Sequence, residues 1–207
     1  MSKNQQTKEY RLGNEIIQIG ATLLDEEYSI IGSFDSYVKP EYGALDSRIV
    51  SLTGIRGSNL KDAPLLKDAL IDFADFIPEG DVIGVSWSHT DDRQLCKEMK
   101  KKGIEIPKIS ALFGTWLDCQ QTFSVKIEAT KAYNLTEALN IANIEYEEGA
   151  HDGAVDAHNT ALLFAKMQKE DVMELNTYYL NAVSEEADHH LHCDLSYLFK
   201  DLVLPEA

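Results

Sequence analysis

The sequence predicts a single α/β domain. Apolar residues make up 44% and charged residues 26% of the 207 residues, a balance that supplies enough apolar material for one core. Runs of β-branched and apolar residues alternate along the chain with segments in which apolar residues recur every three or four positions. Strands that alternate with helices in this way are typical of α/β folds.

The first predicted elements are two adjacent strands. The runs 15–24 and 28–38 are rich in β-branched residues, and the acidic turn 25–27 separates them, so an antiparallel pair is expected. Residues 41–63 are rich in Gly, Ser and Asp and predict a loop with short helical pieces. Residues 64–78 predict an amphipathic helix, because their apolar side chains recur at spacings of three and four.

The second half of the chain continues the alternation. Residues 82–87 are nearly all apolar, which predicts a strand buried on both faces, and a helix follows until Gly103. The remaining predicted elements are a short strand at 112–118, helices at about 121–130 and 135–143, and a strong helix at 155–168. The domain is expected to span residues 1–169, and residues 170–207 are expected to form a C-terminal extension of unknown role.

The charge balance restricts the kinds of partner. Lys and Arg number 19 against 35 Asp and Glu, a formal net charge of −16, which argues against binding nucleic acid through a general basic surface. A nuclease remains compatible, because clustered carboxylates bind divalent metal and the metal meets the phosphate. Three widely separated cysteines form no disulfide pattern, so a cytoplasmic location is expected. No apolar run approaches the roughly 18 residues of a membrane helix, and no membrane partner is expected.

Acidic residues follow the predicted strand 82–87 directly. Asp91 and Asp92 lie where this strand gives way to a helix, and ligand sites of α/β sheets gather at such carboxyl ends. The alternative is purely structural. Ser88 and Asp91 resemble a capping pair, and acidic residues in a first turn stabilise the helix dipole.

A histidine and an aspartate open the strong helix. His151 and Asp156 would be separated by roughly 140° if both were helical, so they cannot share a face. Gly149 and Gly153 indicate a loop that can fold His151 back over Asp156. An aspartate beside a histidine that titrates near neutrality suits a metal ligand paired with a general base. The alternative is a helix-capping loop with a surface histidine.

Several segments resemble, in order and spacing, the DEDDh 3′–5′ exonucleases, the ribonuclease T and DNA polymerase epsilon-subunit-like group of the ribonuclease H-like superfamily. The segments are EIIQIGATLLDEEY (15–28), SYVKP (36–40), IVSLTGI (49–55), AP (63–64), WSHTDDRQL (87–95), LTEALNIANI (135–144) and HDGAVDAHNTALLF (151–164). Together they cover about residues 14–168. The resemblance implies a ribonuclease H-like mixed sheet flanked by helices.

The resemblance also implies a site and a reaction. The His-x4-Asp motif of the family falls on His151 as general base and on Asp156 as a direct metal ligand. The second-motif aspartate falls on Asp91, which would hold metal through water, with Asp92 as the fallback. Two Mg²⁺ or Mn²⁺ ions are implied. The implied substrate is the single-stranded 3′ end of DNA or RNA, and the implied products are nucleoside 5′-monophosphates.

The sequence departs from the family at its first motif. An Asp-x-Glu pair on a central strand is expected before Glu15, but residues 1–14 contain only Glu9 as an acid. Glu15 itself matches the second strand and is not a substitute ligand. The sheet is therefore expected to lack this central strand and to have two unpaired edges. One hypothesis is a reading frame that begins upstream of Met1. The other is a catalytically inactive module of this fold that binds nucleic-acid ends or a protein.

Three weaker features have structural interpretations. The basic run 97–102 can guide a nucleic-acid strand, although a solvated helix face is the simpler interpretation. Trp87 and Trp116 are expected in the core rather than as base-stacking platforms. The run 189–194 contains three histidines and a cysteine, which are zinc-ligand types, but its spacing favours a polar helix or loop.

Overall fold

The computed structural model describes residues 15–149 and 151–183. The strands are β1 (Gln18–Leu24), β2 (Ile30–Tyr37), β3 (Val85–Ser86) and β4 (Leu117–Asp118). The helices are α1 (Ser47–Thr53), α2 (Gly57–Leu60), α3 (Leu66–Phe76), α4 (Thr90–Lys102), α5 (Pro107–Leu112), α6 (Cys119–Lys126), α7 (Leu135–Ile141) and α8 (Gly153–Lys169). The backbone is helical again from 177 to 183.

The predicted antiparallel pair is confirmed. β1 pairs with β2 so that Gln18 lies opposite Tyr37, with one irregularity near Leu24. The Asp25 carboxylate closes the turn, since it accepts hydrogen bonds from the backbone amides of Glu27 and Ser29. An aspartate that binds nearby backbone amides is a common way to fix a turn.

The second pair of strands is short and parallel. β3 pairs with β4, with Val85 opposite Leu117. Within residues 15–149 and 151–183, β1 has no strand neighbour except β2, and β3 has none except β4. Whether the sheet lacks a central strand, as expected from the sequence, stays a prediction, since residues 1–14 lie outside the described residues. With a partner on one side only, β3 extends over two of the six residues predicted for the strand 82–87.

Up to the end of α8, the predicted helices are present, with one addition. α3, α4, α7 and α8 lie where the apolar periodicity places them, within a few residues at each end. The addition is α5, which the sequence analysis does not anticipate. Pro107 occupies its first turn, where a missing N–H costs nothing. The predicted strand 112–118 is present only as β4.

Two clusters of buried side chains form the core. The first core cluster lies beneath β1, β2, α3 and α4 and contains Val38, Leu66, Ala69, Leu70, Phe73, Ala74, Ile77, Leu95, Met99, Ile104, Ile109 and Leu112. The second core cluster lies between α6, α7 and α8 and contains Cys119, Phe123, Tyr133, Ala138, Leu139, Ile141, Ala142, Leu163, Met167, Met173 and Val183. Trp116 packs on the first cluster and Trp87 on the second, which confirms both tryptophans as core residues.

Part of the chain after α8 contributes to the second core cluster. Met173 and Val183 are buried there, and the backbone amide of Asn176 donates to the carbonyl of Ile141 at 2.8 Å. The run 189–194 lies outside the described residues. No helix among the described residues is both long enough and apolar enough to cross a membrane.

Candidate active site

Asp91 lies in the first turn of α4, immediately beyond β3. The capping pair considered for Ser88 and Asp91 is not formed. Instead, the Ser88 hydroxyl donates to the Thr90 hydroxyl at 3.0 Å, and α4 begins at His89 without a side-chain cap. The Asp91 carboxylate accepts no hydrogen bond from the described part of the chain, and the residue is exposed to solvent. Its carboxylate is thus available to a ligand.

Asp92, the fallback metal ligand, is engaged with its own helix. Its Oδ2 lies 3.3 Å from Nδ1 of His89, while its Oδ1 is buried and has no hydrogen-bond partner in the described residues. The backbone amide of His89 in turn donates to Oδ2 of Asp118 at 3.2 Å. Asp118 also caps α6 by accepting from the Gln121 amide at 2.8 Å. Asp118 therefore ties the start of α4 to the end of β4.

His151 and Asp156 lie at the start of α8. Asp152 is the N-cap, and its side chain accepts from the backbone amides of Ala154 and Val155. His151 precedes the cap with a φ of 72°, a left-handed conformation. This conformation turns the loop back so that the His151 amide donates to Oδ2 of Asp156 at 3.2 Å. The fold-back predicted from the glycines is therefore present in the backbone.

The two aspartates of the candidate site influence each other. Burial raises the pKa of Asp91, and the negative charges of Asp156 and Asp92 raise it further. Burial also raises the pKa of Asp156 and outweighs the amide and charge of His151, which lower it. Asp91 is accessible to water, yet protein surrounds its carboxyl group closely enough to weaken its hydration. The structure therefore brings together carboxylates of α4 and α8 that are remote in sequence.

This arrangement fits a divalent cation in charge and in donor type. Asp91 and Asp156 are unneutralised carboxylates, and the buried Oδ1 of Asp92 has no partner in the described residues. Hard cations such as Mg²⁺ and Mn²⁺ prefer carboxylate oxygens, and a cation would relieve the repulsion within this set. In residues 15–149 and 151–183, however, no three acidic, histidine or cysteine side chains converge on one point. The described residues thus supply an incomplete set of ligands.

Glu15 belongs to a separate ionic cluster. Its carboxylate accepts from the backbone amides of Glu41, Tyr42 and Gly43 and from Nζ of Lys102. Nζ of Lys102 also lies 2.8 Å from a carboxylate oxygen of Glu41 and 3.0 Å from one of Glu98. Both carboxylate oxygens of Glu15 are thus occupied, which agrees with its exclusion as a metal ligand.

The basic run on α4 is divided between two environments. Lys102 is held inside this ionic cluster with 4% of its side chain exposed, while Lys97, Lys100 and Lys101 lie on the exposed surface. Lys101 is ten residues beyond Asp91, or roughly 15 Å along the helix axis. The exposed part of the run thus lies toward the end of α4 opposite the candidate site.

Gln18, which was not predicted as a site residue, meets the candidate site from β1. Its Oε1 accepts from the Gly153 amide at 2.9 Å, and its Nε2 donates to Asp152 at 3.2 Å and to Asp35 at 2.9 Å. The available signal is an amide side chain in the middle of the mostly apolar run 15–24. Asp118 was not predicted either, because the helix was expected from about residue 121 and not from Cys119, where α6 begins directly after Asp118 as its N-cap.

A known protein family matches most of this chain. The profile of the exonuclease family RNase T matches residues 6–164, which include Asp91, His151 and Asp156. The chain belongs to the RNase T exonuclease family. The resemblance to DEDDh 3′–5′ exonucleases is thereby confirmed.

Curated relatives of this RNase T family chain include exoribonucleases and a polymerase. The chain is 28% identical over 193 residues to human ERI1 exoribonuclease 2, a match that covers 82% of this chain and 27% of that protein. It is 29% identical over 156 residues to DNA polymerase III PolC-type of Caldanaerobacter subterraneus subsp. tengcongensis, covering 75% of this chain and 10% of the polymerase. The chain thus spans well under half the length of either relative.

Solved structures show the same RNase T family fold. Cell-death related nuclease 4 (CRN-4) superposes with a TM-score of 0.66 at 22% identity, covering 75% of this chain and 57% of that one. The nuclease domain of 3′hExo, a DEDDh family member solved with bound rAMP, gives 0.64 at 20% identity, covering 78% and 85%. The predicted fold class, a ribonuclease H-like α/β domain, is therefore confirmed.

Proposed function

We propose that this chain is a metal-dependent 3′–5′ exonuclease that releases nucleoside 5′-monophosphates from the 3′ ends of DNA or RNA. The observation that carries the proposal is the electrostatic interaction between Asp91 and Asp156, in which the Asp156 charge raises the Asp91 pKa. Carboxylates of two different helices come together with His151 beside them. Membership of the exonuclease family supplies the reaction class for this arrangement.

Asp91 and Asp156 would hold the divalent metal, Mg²⁺ or Mn²⁺, with two ions expected as in the resemblance described above. Bound metal in such a site stabilises the charge that develops on the phosphodiester during attack. Asp91 and Asp156 would be two of the ligands, and no third acidic, histidine or cysteine side chain of the described residues joins them.

His151 would act as the general base. An imidazole titrates near neutrality, so a neutral ring nitrogen can take the proton from the attacking water. His151 is exposed on a folded-back loop, where the imidazole can reach a bound 3′ end. The backbone amide of His151 binds Asp156, so the proposed base is tied directly to the proposed metal ligand.

The relatives support nucleic acid as the substrate class, and both RNA and DNA are candidate substrates. Human ERI1 exoribonuclease 2 is named for RNA, and a solved 3′-exonuclease recognises the 3′ end of a histone mRNA stem-loop. The polymerase relative makes DNA the second substrate. A cytoplasmic location rests on the cysteines, of which Cys96 and Cys119 are free thiols.

The test uses 5′-labelled single-stranded RNA and DNA oligonucleotides incubated with Mn²⁺ or Mg²⁺. We expect a ladder that shortens from the 3′ end, stops with EDTA and releases 5′-monophosphates. His151→Ala is expected to slow the reaction by about 100- to 10,000-fold, the usual contribution of a general base. His158→Ala, on the same helix and away from the cap, is the matched control. An intact labelled strand in every mixture contradicts the proposal, and binding without shortening favours the non-catalytic module.

A further inference from the structure

The side chain of Gln18 uses its whole amide group at the start of α8. The carbonyl oxygen accepts from the Gly153 amide at 2.9 Å. The NH₂ group donates to Oδ1 of Asp152 at 3.2 Å and to Oδ1 of Asp35 at 2.9 Å. One residue of β1 thus binds both the helix cap and the first helical amide, from 134 and 135 positions away in sequence.

These contacts complete the hydrogen bonding of the helix start. The first amides of a helix lack partners within the helix and need them from elsewhere. The Asp152 side chain accepts hydrogen bonds from the amides of Ala154 and Val155, and its backbone carbonyl accepts one from the amide of Asp156. Gln18 serves the one remaining amide, that of Gly153, so no amide in this first turn lacks an acceptor.

The candidate catalytic groups adjoin the clamp, which is the set of hydrogen bonds from Gln18 to Asp152 and Gly153. His151 is the residue before the Asp152 cap, and its amide binds the Asp156 carboxylate. Gly153 allows Gln18 to come this close, since a Cβ at position 153 would lie 3.3 Å from Oε1 of Gln18. The position of Gln18 therefore determines where the segment from His151 to Asp156 lies relative to β1.

An amide is required at this position for an electrostatic reason. The donors of Gln18 lie between the carboxylates of Asp35 and Asp152, and Asp152 adds to the negative charge around Asp156. A glutamate in place of Gln18 would have the same shape and could still accept from Gly153, but it could not donate. Three carboxylates would then meet without a proton or a cation between them.

We propose that Gln18 is a positioning residue for the exonuclease reaction, which holds the loop at His151 and the first turn of α8 where His151 and Asp156 act together with Asp91. This inference rests on the proposed function. Partners that orient ligands and bases from behind typically change activity or metal affinity by about 10- to 100-fold when they are mutated. A residue that merely capped a helix would change stability and leave turnover unaffected.

The test compares Gln18→Glu and Gln18→Met with the wild type and with Gln121→Glu. Gln121 is exposed on α6, so its variant makes the same change of charge away from the clamp. With Mn²⁺ and a labelled strand, we expect Gln18→Glu to lower kcat about 10- to 100-fold with KM nearly unchanged. In metal-free protein, we expect faster hydrogen exchange at the Gly153 amide in Gln18→Met. The double variant Gln18→Glu/Asp152→Asn reverses donor and acceptor, keeps a good N-cap residue, and is expected to recover most of kcat.

The possible failures are distinguishable. If the wild type is active and both Gln18 variants retain its kcat, or if only KM changes, the positioning role is overturned while the exonuclease function stands. If the wild type degrades neither RNA nor DNA, the proposed function fails. Calorimetry of Mn²⁺ binding then tests the positioning role of Gln18. We expect Gln18→Glu to weaken Mn²⁺ binding about 10-fold or more, and an unchanged affinity overturns the positioning role. Should Gln18→Glu not fold, the nonpolar Gln18→Met carries the kinetic comparison.

Discussion

Gly20 of β1 faces Gly153 of α8 so closely that a Cβ atom at position 20 would overlap the Gly153 backbone. No side chain separates strand from helix at this point. The contact places Gln18, two residues earlier on the same strand, within hydrogen-bond distance of the helix start. The pair of glycines therefore sets the distance at which α8 and its His151–Asp156 segment are held.

Gly20→Ala should be strongly destabilising. The added methyl group meets backbone atoms, which cannot rotate away, so we expect a loss at or above the upper end of the about 1–3 kcal/mol usual for overpacking. Urea unfolding monitored by circular dichroism measures this loss. Gly57→Ala is the control, because a Cβ there meets nothing within 4 Å. Equal stability of the two variants would show that the strand and helix do not touch at Gly20.

Asp156→Asn should separate metal binding from folding. The asparagine keeps an acceptor for the His151 amide but removes the charge that raises the Asp91 pKa. Without metal, we expect the variant to melt at the same temperature as the wild type or slightly higher. Metal at 100 times its Kd stabilises a folded protein by about 2.7 kcal/mol, so Mn²⁺ should raise the wild-type Tm by several degrees and that of the variant little.

Thermal melts with and without Mn²⁺ provide this measurement. Asp72→Asn, on the exposed face of α3, is the matched control and should respond to Mn²⁺ like the wild type. A shift that persists in Asp156→Asn would place the metal elsewhere on the chain.

Lys102→Met should cost about 3–5 kcal/mol of unfolding free energy, the range for removing one partner of a buried ion pair. The Lys102 ammonium contacts Glu15, Glu41 and Glu98, and the side chains of Lys102 and Glu98 are 4% and 0% exposed. Without it, these carboxylates would remain together with no cation. Denaturant titration checks this, and Lys100→Met, an exposed lysine of the same helix, should stay within about 0.5 kcal/mol of the wild type.

Glu15→Gln should make stability less dependent on pH in the acidic range. Burial disfavours the Glu15 carboxylate, but the amides of residues 41–43 and the Lys102 ammonium outweigh burial and lower its pKa below 4.5. The ionised form therefore adds stability that is fully present above about pH 4.5 and is lost as pH falls through the folded pKa. Unfolding measured from pH 7 to pH 3 should show a shallower decline in the variant. Parallel curves would mean that Glu15 titrates alike in the folded and unfolded states.

Local patterns in the sequence predicted most of the secondary structure. The β1–β2 pair and α8 follow from alternation and helical periodicity, which are properties of neighbouring residues. The short length of β3 does not follow, because pairing depends on which strands lie beside it. Helix α5 does not follow either, because its six residues are too few to establish a helical period.

The sequence indicated candidate-site residues but not the contacts around them. Family resemblance pointed to Asp91, His151 and Asp156, and the structure brings the two aspartates near each other and folds the His151 loop over Asp156. Their catalytic roles remain predictions. Gln18 could not be found from local sequence, because its function depends on Asp152 and Gly153, more than 130 positions away.

The division of the core into two clusters has a consequence for the candidate site. Asp91 is carried by α4, which is anchored in the first core cluster through Leu95 and Met99. Asp156 is carried by α8, which is anchored in the second through Leu163 and Met167. The separation between Asp91 and Asp156 therefore depends on how the side chains pack in both core clusters. Looser packing in either core cluster would shift one aspartate relative to the other while the protein is still folded.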